Sequence, residues 1–241
     1  MMTHRMFSRN SSSSRAIPIE KLIQQVIDDP VMPVEWGKNQ KGMQAREEIS
    51  DTAKKAAEQG WLGGRDEAVA TARYLSNLGV HKQLVNRVLE PWMWITVIIS
   101  ATEYENFFKL RCHEDAQPEV KRIADMMCSA YEANTPVELE FGQWHLPFIN
   151  DHELSHYSER ELCLLSTARS ARVSYLTHDG AHDPVRDFEL ASSLMDNKHW
   201  SPTEHPAMAN PGSMYGNFNG FTQFRKTFPD ESGKCQSPVL Q

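Results

Sequence analysis

The chain opens Met1-Met2-Thr3-His4-Arg5-Met6-Phe7-Ser8-Arg9-Asn10-Ser11-Ser12-Ser13-Ser14-Arg15, with one histidine and three arginines ahead of the first acid, Glu20. Hydroxyl and amide groups fill most of the rest, from Ser8 and Asn10 to the run Ser11 to Ser14. Directly behind stands Ala16-Ile17-Pro18-Ile19-Glu20-Lys21-Leu22-Ile23. There Pro18 suits the first turn of a helix, and apolar residues then recur at helical spacing. Guanidinium groups and donors leading into a helix N-terminus are the parts of an anion site, because free backbone N–H groups and the helix dipole both favour phosphate. Most Ser-rich ends with scattered charge are frayed termini, so composition alone leaves both readings open.

The totals narrow the setting. The 241 residues suffice for one large domain or two small ones with a real core. Twenty-five Lys and Arg against 32 Asp and Glu give a net charge of −7, which argues against broad nucleic-acid binding and makes any anion site local. Cys112, Cys128, Cys163 and Cys235 are scattered without a C-x-x-C pair, so neither a disulfide framework nor a zinc knuckle is indicated. No signal-peptide pattern is present, and the most apolar run, Trp92 to Ala101, is too short to cross a bilayer. The expectation is a cytoplasmic protein with no membrane, metal or nucleic-acid partner.

Along the chain, a helix is predicted from Pro18 to about Asp28, then an irregular loop over Val31 to Ala45 with Pro33 and two Gly, just behind Pro30. That loop reads equally well as a substrate-facing lid or a plain connector. Helices follow over Arg46 to Gln59 and Asp66 to Asn77, with a pause at Gly60-Trp61-Leu62-Gly63-Gly64, and another over Val80 to Leu89. Trp92 to Ile99 is β-rich and apolar, hence a buried strand. Thr102 is a reasonable N-cap for the next helix, in which Phe107 and Leu110 bury while Asn106 and Arg111 project polar groups. Taken alone, Arg111 could equally be a surface ion-pair partner of Glu105 or Glu114. Ala116 to Glu132 is amphipathic, and Thr135 to His152 is an irregular connection. Leu162 to Tyr175 enters as a helix or a strand, and a helix runs from about Pro184 to Asn197.

Three blocks carry a resemblance. His4-Arg5-x-x-Ser8-x-Asn10-x-x-Ser13-x-Arg15 resembles the R-H-R-x-x-S-x-N-E-x-S-x-R signature of the flavin-dependent thymidylate synthases, with Thr3 and Ser11 replacing an Arg and a Glu. Arg87-Val88-Leu89-x-Pro91, then Asn106-Phe107-x-x-Leu110-Arg111 and Ala116-Gln117-x-Glu119, is similar to a second part of that family, with Ser100 where an Asn is usual. Ala171-Arg172-Val173-Ser174-Tyr175 and His199-x-Ser201-Pro202-x-Glu204-His205 resemble its flavin-lining elements. The last run could compose a metal site, but Pro202 and the absence of an i, i+4 histidine pair argue against one.

The resemblance implies an α/β (α+β) fold, a small mixed sheet flanked by helices with a largely helical segment. It implies reductive methylation of dUMP to dTMP, with methylenetetrahydrofolate giving the carbon and NADPH the electrons through FAD. By matching positions, Ser13, Arg15, Arg87 and Arg111 would bind dUMP, with Arg111 also stabilising charge on the uracil ring as the catalytic residue. His4, Arg5, Asn106, Ser174, His199, Ser201 and Glu204 would hold FAD. The family shares its active sites between subunits of a homotetramer, so an oligomer is expected.

In familiar members the third block comes first, so 1–241 reads as one domain in circularly permuted order: 1–134, a connection at 135–157, and a flavin-binding half at 158–241. A strand normally precedes the R-H-R motif, and here Met2 stands directly before Thr3, so the motif is expected on a loose terminus. The segment 217–226 is aromatic, amide-rich and basic, and its Gln223-Phe224-Arg225 is expected near the nucleotide. Two rival readings remain, a non-catalytic remnant that binds nucleotide or flavin weakly, and a folate- and flavin-dependent methyltransferase acting on uracil in RNA. The charge of −7 speaks against the second.

Overall fold

A computed structural model describes residues 7–42, 45, 47–173, 183–215, 218–229 and 231. In chain order they form β1 (Ser8–Ser11), a 3-10 turn (Ser14–Ala16), α1 (Ile19–Asp28), α2 (Asp51–Asn77), α3 (Lys82–Val85) and a second 3-10 turn (Asn86–Trp92). Then come β2 (Val97–Ser100), α4 (Glu105–Arg111), α5 (Pro118–Ala133), β3 (Trp144–His145), α6 (Asp151–Leu154), α7 (Glu159–Arg172) and α8 (Pro184–Asp196). A third 3-10 turn (Ser201–Glu204), β4 (Ala207–Tyr215), β5 (Phe218–Gln223) and a fourth turn (Phe224–Thr227) complete the order. The chain divides into two compact units, one from Ser12–Ile95 with Tyr104–Thr135, the other from the described parts of Met2–Ser11, Thr96–Glu103 and Pro136–Gln241.

The first unit is helical. In α1, Leu22, Ile23 and Val26 fall on one face and are fully buried, as the apolar spacing requires. Ser50 caps α2, its hydroxyl accepting from the Ala53 N–H at 3.4 Å. Contrary to the expected pause, α2 runs unbroken through Gly60 to Gly64. Tertiary packing overrides the weak propensity there: Trp61 donates to the Val31 carbonyl at 2.9 Å, and its ring stands 5.4 Å from that of Trp92. A Cβ at Gly64 would lie 3.3 Å from the Trp92 ring, so the glycine permits that approach.

The helix expected over Val80 to Leu89 also needs correction. Only Lys82–Val85 is α-helical, and the chain tightens into the 3-10 turn at Asn86–Trp92. Buried Asn86 donates to the Ser14 and Ile17 carbonyls at 2.7 and 2.9 Å, and Pro91 has no N–H to continue a ladder. Trp92 therefore belongs to a turn, and the expected buried strand shrinks to half-buried Val97–Ser100. Tyr104, rather than Thr102, precedes α4. Phe107 is buried as expected, but Leu110 is half exposed, because the rings of Tyr104, Phe108 and Tyr131 cover the contact between α4 and α5.

The second unit holds the strands. β1 pairs antiparallel with β2, from Ser8 opposite Ser100 to Ser11 opposite Val97. β3, β4 and β5 make a second antiparallel sheet. The described strands thus form two small antiparallel sheets and not one mixed sheet. The stretch expected to be an irregular connection contains β3 and α6, the latter closed by a capping box between Asn150 and Glu153. The core helix is α7, buried from Leu162 to Ala171 apart from Leu164. At its centre Arg169, only 2% exposed, pairs with Glu153 and with Asp187 of α8 (2.9 Å), and Arg172 reaches the same Asp187 at 2.7 Å. One buried and one partly buried cation facing two buried acids leave no charge uncompensated.

Candidate functional site

His4, Arg5 and Ser174 lie outside the described residues. The remaining expected site residues divide between the units, Ser13, Arg15, Arg87, Asn106 and Arg111 in the first, His199, Ser201 and Glu204 in the second.

In the first unit, the turn at Ser14–Ala16 packs on the turn at Asn86–Trp92. The Ser14 hydroxyl donates to the Glu90 carboxylate at 2.6 Å, and Asn86 holds the Ser14 and Ile17 carbonyls. These bonds put Ser13, Arg15 and Arg87 on neighbouring turns with both guanidinium groups exposed, and the Arg15 Nε lies 3.4 Å from the Ser13 hydroxyl. Two exposed guanidiniums and a hydroxyl suit a phosphate monoester. Asn106 is exposed near the start of α4.

Arg111, half-buried at the end of α4, lines a cavity of about 750 Å³ with Glu35, Gly37, Ala45 and Glu114 to Glu119. It is the only basic residue among the described lining, against Glu35, Glu114, Asp115 and Glu119. Glu119 accepts from the Val34 N–H at 3.3 Å, tying the loop after α1 to the start of α5. No chemistry is legible in that loop from its residues alone, yet it supplies Glu35, Gly37 and Ala45 to the cavity wall. Its irregular mix of Pro, Gly and Trp was the available signal, and nothing in it pointed to Arg111.

In the second unit, the motif strand is not loose over its described part. Phe7, Ser8 and Asn10 are buried, and Asn10 donates to the Ser170 carbonyl at 3.5 Å. His199 and Ser201 are exposed at the start of the third 3-10 turn, and Glu204 is half-buried at its end. Arg225 donates to the Glu204 carboxylate and, at 2.9 Å, to Glu231. Burial pushes the Glu231 carboxyl up, but Lys226 and Arg225 outweigh it and hold the group below its ordinary range. His205, with no exposed surface, meets the Ser100 hydroxyl through Nδ1 at 2.9 Å. Burial and, next, the charge of His145 push His205 down to about 4, so its ring is neutral at physiological pH.

Several buried polar atoms around this turn have no partner among the described residues: Trp200 Nε1, His205 Nε2, and Thr167 Oγ1 and Ser170 Oγ on α7. Buried polar groups are normally satisfied, so such a cluster suits a polar ligand. A flavin dinucleotide offers the hydroxyl, carbonyl and phosphate groups that an imidazole, two serine hydroxyls and a charge-compensated carboxylate would meet. The residues present fit the group. Among the described residues, no set of three or more His, Cys, Asp or Glu stands where it could hold a metal, and no helix is long and apolar enough to cross a membrane.

The family model described as thymidylate synthase complementing protein matches residues 1–137, more than half of the chain. The chain belongs to that family. No curated protein and no solved structure is matched. Membership in the thymidylate synthase complementing protein family carries a flavin-dependent, thymidylate-synthase-like character in general. The match covers β1, the arginines at 15, 87 and 111, and the cavity lining.

Proposed function

We propose that the chain is a flavin-dependent thymidylate synthase, converting dUMP to dTMP with methylenetetrahydrofolate as carbon donor and NADPH as reductant, in circularly permuted order and as a homotetramer. The observation that carries this reading is the matched first half, in which Arg111 stands in a cavity while Ser13, Arg15 and Arg87 lie on two turns bonded to each other. FAD, when bound, supplies hydride chemistry that no side chain can perform.

The chain's own residues bind and polarise. Arg15, Arg87 and Ser13 hold the 5′-phosphate. Arg111 donates to a uracil carbonyl, so that charge developing there as C5 becomes nucleophilic is met by a fixed cation. No cysteine attack is required: Cys163 is buried, with its thiol pushed up to about 12 by that burial, and Cys112 is raised to about 11, by burial first and Asp125 next. By matching positions, His199, Ser201 and Glu204 would hold the flavin, as would Asn106 and, outside the described residues, His4, Arg5 and Ser174.

The test is a visible absorption spectrum of the purified chain with FAD, followed by dUMP. A bound-flavin band that shifts with dUMP supports the reading, and NADPH oxidation dependent on dUMP and methylenetetrahydrofolate completes it. Protein that takes up no FAD overturns it.

A further inference from the structure

Three consecutive residues, the last of β5 and the first two of the turn behind it, grip the segment that contains Glu204. Gln223 is 5% exposed, and its amide nitrogen donates to the Glu204 carbonyl at 2.8 Å and to the Ser8 hydroxyl at 2.9 Å. The Phe224 N–H donates to the Pro206 carbonyl at 2.9 Å, and the ring is buried against Trp144 and Phe228. Arg225 takes the Glu204 carboxylate. Both the main chain and the side chain of Glu204 are therefore fixed by residues two positions apart. The same Gln223 ties the motif strand β1 to that segment, across 215 residues of sequence.

The Arg225–Glu204 pair is partly exposed, with side chains 29% and 22% accessible. A pair in that setting adds little to stability, so folding does not require it. Its effect is local. Without the guanidinium, Glu204 would present a bare carboxylate to any anionic ligand, and its orientation would be free.

We propose that Arg225 is a positioning residue of the flavin site, compensating and orienting the Glu204 carboxylate, with Gln223 fixing the backbone beneath it. The proposal rests on the reading of Glu204 as a flavin contact. FAD carries a pyrophosphate, and the isoalloxazine gains electron density on reduction, so an uncompensated carboxylate disfavours binding and disfavours reduction further. Arg225→Gln is expected to weaken FAD binding about tenfold, on the scale of one lost charge-assisted hydrogen bond. It should also move the midpoint potential of the bound flavin to more negative values.

The experiment compares wild type, Arg225→Gln, Glu204→Gln and the double variant, by FAD titration and anaerobic redox titration against a reference dye. Return of the potential towards wild type in the double variant is expected, because one of the two carboxylates that Arg225 offsets is then gone and the other, Glu231, keeps Lys226 at 2.7 Å. A merely structural Arg225 would give no such rescue. Wild type that binds FAD while Arg225→Gln keeps its affinity and potential overturns the proposal alone. Wild type that binds no FAD overturns the flavin reading and the proposal with it. Should Arg225→Gln fail to fold, Glu204→Gln carries the test: a more positive potential supports the proposal, and an unchanged one overturns it.

Discussion

His205 has no exposed surface, shares its Nδ1 with the Ser100 hydroxyl, and leaves Nε2 without a partner among the described residues. With its folded value near 4 and an ordinary value of 6.5, the unfolded chain binds the extra proton between those limits. Its contribution to stability is therefore complete above pH 6.5 and is lost as pH falls towards 4, roughly 3 kcal/mol in all. Urea melts at pH 7.5, 5.5 and 4.5 should show that loss in wild type, and His205→Gln should flatten the slope. A variant as acid-sensitive as wild type would assign the effect elsewhere. Ser100 stands where the resembling family usually has Asn. The structure shows it bonded to a buried imidazole 105 positions away. At Arg111, replacement by Gln should lower kcat/KM for dUMP about a hundredfold, on the scale of one lost donor to developing charge. Steady-state NADPH oxidation reads this, and an unchanged value would remove Arg111 from the chemistry.

The elements show where local preference yields to packing. A Cβ at Gly60 or Gly63 of α2 would meet nothing within 4 Å. Gly60→Ala and Gly63→Ala should each stabilise by roughly 0.5–1 kcal/mol, a rise in thermal midpoint that calorimetry detects. Gly64→Ala should gain less or lose, because Trp92 must move aside. These glycines predicted a break because propensity acts alone in a sequence window. The break is absent because the Val31 carbonyl and Trp92, both outside that window, hold Trp61 in place. In α7, where local pattern permits a helix or a strand, buried packing on all sides selects the helix. Arg169→Met leaves Glu153 without its cation and halves the positive charge at Asp187, so a loss of about 3–5 kcal/mol is expected by denaturant titration. Adding Glu153→Gln should recover part of it.

For the whole molecule, the proposed tetramer predicts that FAD-loaded protein elutes as an oligomer by light scattering, and a monomer with full FAD occupancy would refute it. By itself the sequence determined the family, because fixed spacings of His, Arg, Ser and Asn over the first fifteen residues, and of Arg87, Asn106 and Arg111, survive without coordinates. It also determined most helices, since apolar periodicity and caps such as Ser50 and Asn150 act within a few residues. Only the tertiary structure decided that Ser8–Ser11 of the opening motif is held as a strand by Val97–Ser100, with Gln223 on Ser8, that Arg225 pairs with Glu204, and that the loop after α1 walls the Arg111 cavity. Strand pairing, ion pairing and cavity walls join residues tens to hundreds of positions apart, and a local pattern carries no record of which distant partner each group meets.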